Sequence, residues 1–410
     1  MCVGASHECY GRARAWERPV SSRDFSRIYL DYAATTPLRA ESADAMALAH
    51  SEGAFNPSSL HAEGRRSRAI LDGARDRVAH ILGVARNGIT FTGSGTEADN
   101  LAIVGTARAA ARRGGARHLV ASTIEHHAVL HALDALAADG FDITLIGVDE
   151  RGVVSTDAFE AALRSDTAAA SVMYANNELG TIQPVEKMAA IARERGIFFH
   201  TDAIQAPVWL SVDLHNLGVD ALSLSAHKFY GPKGVGVLAV RDAVALEPLV
   251  HGGGQEFGRR SGTENVGGIA GLARALELAD AERLATRERV SALRDRLERG
   301  ILDTISDVRV NGAGAPRLPN MLSVSFAGAA SDELLLRLDL AGLAVSAGSA
   351  CTSGVLEPSH VIDALGAGAD WKNGTIRFSL GITTTQAEID RALELASASV
   401  AELRRVRARS

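Results

Sequence analysis

The sequence predicts an α/β fold built around a mainly parallel sheet, and three stretches carry that prediction. Ala221-Leu-Ser-Leu224 is a short apolar run that ends in Ser225-Ala-His227-Lys228 before a Gly231-Pro232 turn. Ile197-Phe-Phe is a second such run, ending in His200-Thr-Asp202. Ile89-Thr-Phe-Thr92 leads through Gly93-Ser-Gly95 into a helix start at Thr96. Each buried-strand pattern is followed by polar side chains, which is where open α/β sheets place their chemistry. With 410 residues and 46% hydrophobic content, the chain is long enough for a large core and two domains.

The bulk composition excludes several classes. A net charge of −6 gives no general nucleic-acid footprint, so no direct nucleic-acid contact is expected. No run approaches the roughly 18 apolar residues of a membrane span. Three cysteines in a chain this long argue against a disulfide framework and for a reducing, cytoplasmic compartment.

In order along the chain, residues 1–27 are polar and lack both apolar periodicity and the hydrophobic core of a secretory signal. They read as a disordered extension, in which Cys2, His7 and Cys9 form only a loose set of metal donors. Ile28-Tyr-Leu-Asp31 opens the fold as a short strand, and a helical segment begins near Pro37. Asn56-Pro-Ser-Ser is a turn-forming loop. After Ile89–Thr92, free N–H groups at a helix start suit a phosphate, with the Thr96 hydroxyl beside them. The spacing matches neither a Rossmann nor a P-loop glycine pattern.

The run from His118 reads as a strand followed by a helix with His126 and His127 at its start, where one imidazole can stack on a ring and shuttle protons. Ala168 to Met173 is another apolar strand, ending in Asn176-Asn177-Glu178; Asn176 and Glu178 read as turn residues. Asp202 alone reads as a helix N-cap and Lys228 alone as a surface lysine. One strand–connection–strand unit apart, the two suit pyridoxal 5'-phosphate. The carboxylate keeps the pyridine nitrogen protonated, and the lysine holds the aldehyde as a Schiff base. Gln205 is placed to donate to the phenolic oxygen of that ring.

Beyond Lys228, a charged, helix-period segment runs from about Gly268 to Leu302. Ser323 to Phe326 reads as a strand and Asp332 to Leu340 as a helix. Small residues surround Cys351, which suggests an accessible, ionisable thiol. Arg377 sits mid-strand, and a guanidinium can clamp a carboxylate with two bonds.

Ser225-Ala-His-Lys228-Phe-Tyr-Gly-Pro-Lys-Gly, His200-Thr-Asp202-Ala-Ile-Gln205 and Ser346-Ala-Gly-Ser-Ala-Cys351-Thr-Ser together resemble the signatures of cysteine desulfurases of the nitrogen-fixation and iron–sulfur-cluster type. These belong to the class V aminotransferase family of pyridoxal enzymes, and the resemblance runs from about Ile28 to the C-terminus. It implies a fold-type-I pyridoxal transferase, with a seven-stranded, mainly parallel sheet in a large domain and a smaller α+β domain. The boundaries expected are an arm over 28–45, the large domain over 46–275, and a linking helix and small domain over 276–410, with a catalytic loop at 345–357.

The implied reaction converts L-cysteine to L-alanine, leaves the sulfur on Cys351 as a persulfide and passes it to an acceptor such as an iron–sulfur scaffold or thiolation carrier. The implied assembly is a homodimer. The resemblance makes Cys351, Lys228 and His126 catalytic, the family pattern Glu-His-x-Ala-Val selecting His126 over His127. It assigns Gly95, Thr96, His126, Asn177, Asp202, Gln205, Ser225, His227 and Lys228 to the cofactor. Thr263, in Arg259-Arg-Ser-Gly-Thr263, is assigned to the cofactor phosphate of a partner copy. Asn56, Asn177 and Arg377 are assigned to the substrate, although Phe55 stands where the family has glycine. Cys351 is also a candidate transient iron–sulfur ligand, and no other metal site is expected. The alternative activity is a selenocysteine lyase or another pyridoxal aminotransferase or lyase.

Overall fold

The computed structural model describes residues 27–53, 55–241, 244–348 and 359–408. The expectations for residues 1–26, with Cys2, His7 and Cys9, and for Cys351 lie outside the described residues. The strands are β1 (Ile28–Tyr29), β2 (Ile89–Thr92), β3 (His118–Ser122), β4 (Asp142–Ile146), β5 (Thr167–Ser171), β6 (Phe198–Asp202), β7 (Ala221–Ser225), β8 (Gly236–Val240), β9 (Val308–Asn311), β10 (Met321–Phe326), β11 (Leu343–Ala344) and β12 (Thr375–Ser379).

Seven of them form one sheet in the order β2-β8-β7-β6-β5-β3-β4. β3, β4, β5, β6 and β7 are mutually parallel, and β8 runs against both β2 and β7. The mainly parallel, seven-stranded sheet implied by the resemblance is therefore present. Its central strands are buried along their whole length, as β5 (Thr-Ala-Ala-Ala-Ser) and β7 (Ala-Leu-Ser-Leu-Ser) show. That is the pattern of a sheet covered on both faces. β8 reverses direction for a steric reason: only residues 226–235 separate it from β7, too short a connection for a crossover helix.

The Gly95–Gly114 helix crosses β5, β6, β7 and β8. Its Ala98, Leu101 and Ala102 pack against Ala221, Leu238 and Val240. Ser94 caps it by accepting from Glu97 N, so its first turn begins immediately after β2.

A 39-residue helix, Val266–Thr304, leads to an antiparallel sheet in the order β12-β10-β9. The start of the chain reaches the same region, because β1 pairs in parallel with β11 and Asp31 bridges to Ser379. The chain then runs past Lys228, with Thr36 N donating to His227 O (2.9 Å) and Arg39 N to Tyr230 O (3.0 Å). Residues 30–39 thus lie between the C-terminal sheet and the end of β7. Among the described residues, no helix is long and apolar enough to cross a membrane.

Candidate active site

The C-terminal ends of β5, β6 and β7, the start of the Gly95–Gly114 helix and the segment around Arg377 enclose a cavity of about 460 Å³. Gly95, Thr96, His126, Asn177, Asp202, Gln205, Ser225, His227, Lys228 and Arg377 all line it. Residues spread over more than 280 positions of sequence therefore meet in one place, because parallel strands deliver their C-terminal ends to the same edge of the sheet.

Lys228 Nζ donates to the carbonyl oxygens of Ala33 (2.6 Å) and Ala34 (2.9 Å). Burial draws its pKa down to about 8, and the charge of Arg377 adds to that effect against the pull of Asp202 and Asp31. Roughly a tenth of the amine is then uncharged at pH 7, far more than in an ordinary lysine, as a nucleophile or base requires. Asp202 is 5% exposed and accepts from Ile204 N (2.9 Å). Burial raises its pKa to about 6, opposed by that hydrogen bond and by Lys228. The N-cap-like contact at Ile204 and the cavity-facing position are both present in this one carboxylate.

His126 caps the His127–Ala138 helix, its Nδ1 accepting from Ala128 N (3.0 Å). The proton of the neutral ring is therefore on Nε2. The ring lines the cavity, and desolvation in that recess, followed by the Lys228 charge, lowers its pKa to about 4, so it stands neutral. His227 Nδ1 lies 3.1 Å from Thr35 Oγ1, and burial likewise lowers its pKa to about 4. Gln205 Nε2 donates to Ala33 O (3.1 Å).

At the other end, the Gly95–Gly114 helix turns its first residues into the cavity, and a helix start leaves its leading N–H groups without partners in the helix. Two glycines permit this geometry. A Cβ on Gly95 would stand 2.3 Å from Ile204 Cδ1, and one on Gly236 would stand 2.5 Å from both the carbonyl carbon and oxygen of Ser94. An amine of depressed pKa, a buried carboxylate and an open helix start around one cavity form a donor set that fits pyridoxal 5'-phosphate.

Arg377 is 3% exposed and firmly held. Its Nη2 bonds Asp31 Oδ1 (2.8 Å), and its Nη1 bonds Asn177 O (2.7 Å) and Gly348 O (3.3 Å). Its Nε is buried with no partner. Beside it, Glu178 is buried and accepts from Ser359 Oγ. A Cβ on Gly348, whose φ is +103°, would lie 2.4 Å from Glu178 Oε2. Burial raises the Glu178 pKa, with Ser359, Arg377 and His127 opposing.

Sequence reasoning missed Glu178 as a cavity residue, along with Asp31, His127 and His360. His127 and His360 have ring centroids 4.7 Å apart at the cavity wall. The signal for Asp31 was available, since an acidic residue ends the first strand. Glu178 carried none, because its partner Ser359 is 181 residues away.

Asn56, assigned to the substrate, is not on the cavity, and neither is Thr263, which is assigned to the phosphate of a partner copy. Asn56 is exposed, and its Oδ1 accepts from Ser58 N (2.9 Å), as in an Asn-Pro turn. Thr263 is exposed as well. Both lie near one cleft, lined by Ser58, Gly253 to Phe257 and Glu264. Among the described residues, no group of three or more His, Cys, Asp or Glu side chains is placed to hold a metal.

Comparison with known proteins gives a consistent result. The family model described as Aminotransferase class-V matches residues 28–392. The protein named cysteine desulfurase IscS of Dictyoglomus turgidum is 46% identical over 379 residues, covering 92% of this chain and 96% of that protein. A solved structure named NIFS-like protein aligns with a TM-score of 0.85 at 36% identity, covering 92% of this chain and 100% of the other. The structure of SspA in complex with cysteine aligns with a TM-score of 0.76 at 35% identity, covering 87% and 99% of the two chains.

Proposed function

This chain belongs to the class-V aminotransferase family, and from that premise we propose that it is a pyridoxal-phosphate-dependent cysteine desulfurase. It converts L-cysteine to L-alanine and passes the sulfur through a persulfide on Cys351 to an acceptor protein for iron–sulfur cluster or thio-cofactor synthesis. The observation that carries this reading is one cavity holding an amine of depressed pKa, a buried carboxylate and an arginine with an unpartnered Nε.

Gly95, Thr96, Ser225 and His227 would hold the cofactor phosphate, and Asp202 its ring nitrogen. His126 would face the ring, Gln205 and Asn177 would serve its phenolic oxygen, and Lys228 would hold its aldehyde. When bound, the cofactor supplies an electron sink for charge that develops at the substrate's Cα. Arg377, which lines the cavity, binds the substrate carboxylate with its guanidinium, which Asp31 and the Gly348 carbonyl keep in place. Lys228 Nζ, released from Ala33 and Ala34, accepts the Cα proton. His126, fixed as the Nε2–H tautomer, is the second proton carrier. Cys351 as thiolate attacks the substrate sulfur. An S–S bond forms, the Cβ–S bond breaks, and the electron pair stays with the carbon skeleton, which takes up a proton and leaves as alanine. Holding nucleophile and substrate in one protein makes this step intramolecular.

The same proposal makes the enzyme a cytoplasmic homodimer, in which Thr263 reaches the cofactor phosphate of the partner copy. It divides the chain into an arm (28–45), a large domain (46–275) and a smaller domain (276–410).

Cys351→Ala tests it. L-Cysteine should still change the cofactor's absorbance, because the groups that receive it are intact. Alanine formation should fall by about a hundred-fold or more, and no persulfide should form on the Cys351 peptide. Near-normal turnover would instead describe a lyase or aminotransferase that accepts cysteine.

A further inference from the structure

We propose that Asp99 is a positioning residue that keeps a proton beneath the cavity, so that Asp99 and Asp202 together present one negative charge rather than two. The proposal rests on the reading of Asp202 as the carboxylate that faces the cofactor ring.

Asp99 lies one turn into the Gly95–Gly114 helix and is wholly buried (0% exposed). Neither carboxyl oxygen has a hydrogen-bond partner. The basic nitrogen paired with it is His200 Nε2, 3.7 Å from Oδ1 and too far for a hydrogen bond. Both nitrogens of that ring are already engaged, Nδ1 with Ser171 Oγ (2.9 Å) and Nε2 with Ser223 Oγ (2.9 Å). Burial lowers the His200 pKa to about 3, so it carries no charge near neutral pH. The other titratable groups acting on Asp99 are acids, Asp202 on β6 and Glu125 just before the His127–Ala138 helix. Lys228 acts on Asp202 instead. The Ser223 hydroxyl favours ionisation, but its well-formed bond is to His200.

A dry carboxylate with no donor and the Asp202 charge beside it costs far more to leave ionised than the neutral acid does, and Glu125, raised to about 8 by burial, is itself mostly protonated at neutral pH. Burial first, and then the Asp202 charge, hold the Asp99 carboxyl well above the usual range. The two carboxyls titrate as a pair, and the Ile204 N–H and the Lys228 charge favour the anion on Asp202. This has a consequence for Lys228. Negative charge from Asp202 and Asp31 raises its pKa, so a second anion beneath the cavity would charge the amine further. The proton on Asp99 helps keep that amine reactive.

Asp99→Asn copies the neutral acid and supplies the test. A protonated Asp99 makes the folded apoprotein bind more protons than the unfolded chain above the ordinary carboxylate range. The Asp99 contribution to stability should therefore fall as pH rises above the ordinary carboxylate range, and D99N should remove that part of the slope. At neutral pH, D99N should hold pyridoxal phosphate within about two-fold of the unaltered protein, while Asp202→Asn should weaken it at least about ten-fold. A ten-fold loss in D99N with an unchanged pH slope would mean that Asp99 is ionised and would overturn the proposal. If D202N leaves cofactor affinity intact, the reading of the cavity fails, and the pH slope still decides the state of Asp99. Should D99N not fold, Ser223→Ala serves instead, because it removes the hydroxyl that favours an ionised Asp99. Unchanged affinity at neutral pH supports a protonated Asp99, and a ten-fold loss overturns it.

Discussion

At the scale of single residues, the site is governed by what burial does to charge. Lys228, His126 and Asp202 are all pushed toward their neutral forms by the same dry surroundings. Lys228 makes the argument quantitative. Only the uncharged amine can capture an aldehyde, so trapping of pyridoxal phosphate on the apoprotein should rise with pH through about 8 and then level off. Asp31 raises the Lys228 pKa, so Asp31→Asn should move that midpoint downward. Borohydride trapping followed by peptide mapping measures both. A label on Lys233 in place of Lys228, or a midpoint near the ordinary lysine value, would contradict this account. His126 was singled out over His127 only by the family pattern, whereas Asp202 and Lys228 were legible in the sequence because each follows an apolar run. Asp99 and Glu178 were not, since their meaning comes from neighbours contributed by other strands and, for Ser359, from 181 residues away.

At the scale of elements, the strand ends do the positioning. The runs before Asp202 and Lys228 could be read as strands because both faces of a parallel sheet are buried. Arg377 was correctly placed mid-strand and lies at the centre of β12. β8 was not legible, because its direction follows from the length of the preceding turn rather than from its own residues. That strand nevertheless shapes the cavity, since its first residue, Gly236, packs directly on the Ser94 backbone. Gly236→Ala would place a Cβ 2.5 Å from Ser94 backbone atoms, which no rotamer can relieve. It should destabilise the protein by about 1–3 kcal/mol. It should also weaken pyridoxal phosphate binding more than the stability loss explains, because the Ser94–Thr96 turn must shift. Thermal melts of apo and holo protein separate the two effects. A holo protein destabilised no more than the apo form would remove this turn from the phosphate site.

At the scale of the whole molecule, the described chain leaves Asn56 outside the cavity that the family pattern assigns it to, and leaves Thr263, assigned to a partner copy's phosphate, outside it as well. The Thr263 assignment depends on a second copy of the chain, so this part of the site was legible only through resemblance. The surface itself is informative. Phe55 and Phe257 stand 47% and 51% exposed, beside the loops that carry Asn56 and Thr263. Beneath them, the ion pair of Arg75 with Glu256 is fully buried, and the Arg75 guanidinium lies over the rings of Phe91 (4.8 Å) and Phe257 (5.1 Å). Glu256 and Phe257 adopt positive φ values of 50° and 58°, so this buried pair maintains a strained loop in one shape. A loop held this way while presenting an aromatic ring to solvent suits an interface between copies. If Thr263 reaches the partner's cofactor phosphate, Thr263→Ala should leave the apoprotein's melting temperature unchanged. The holo protein should lose stability in step with its weakened cofactor affinity, about 1.4 kcal/mol for a ten-fold loss at saturating cofactor. Dilution should strip the cofactor from the mutant first, because retention then depends on a dimer with one fewer phosphate contact. Sedimentation and cofactor absorbance, followed together over a dilution series, read both quantities. An unaltered protein that keeps its cofactor as a monomer would show that each cavity is complete on its own.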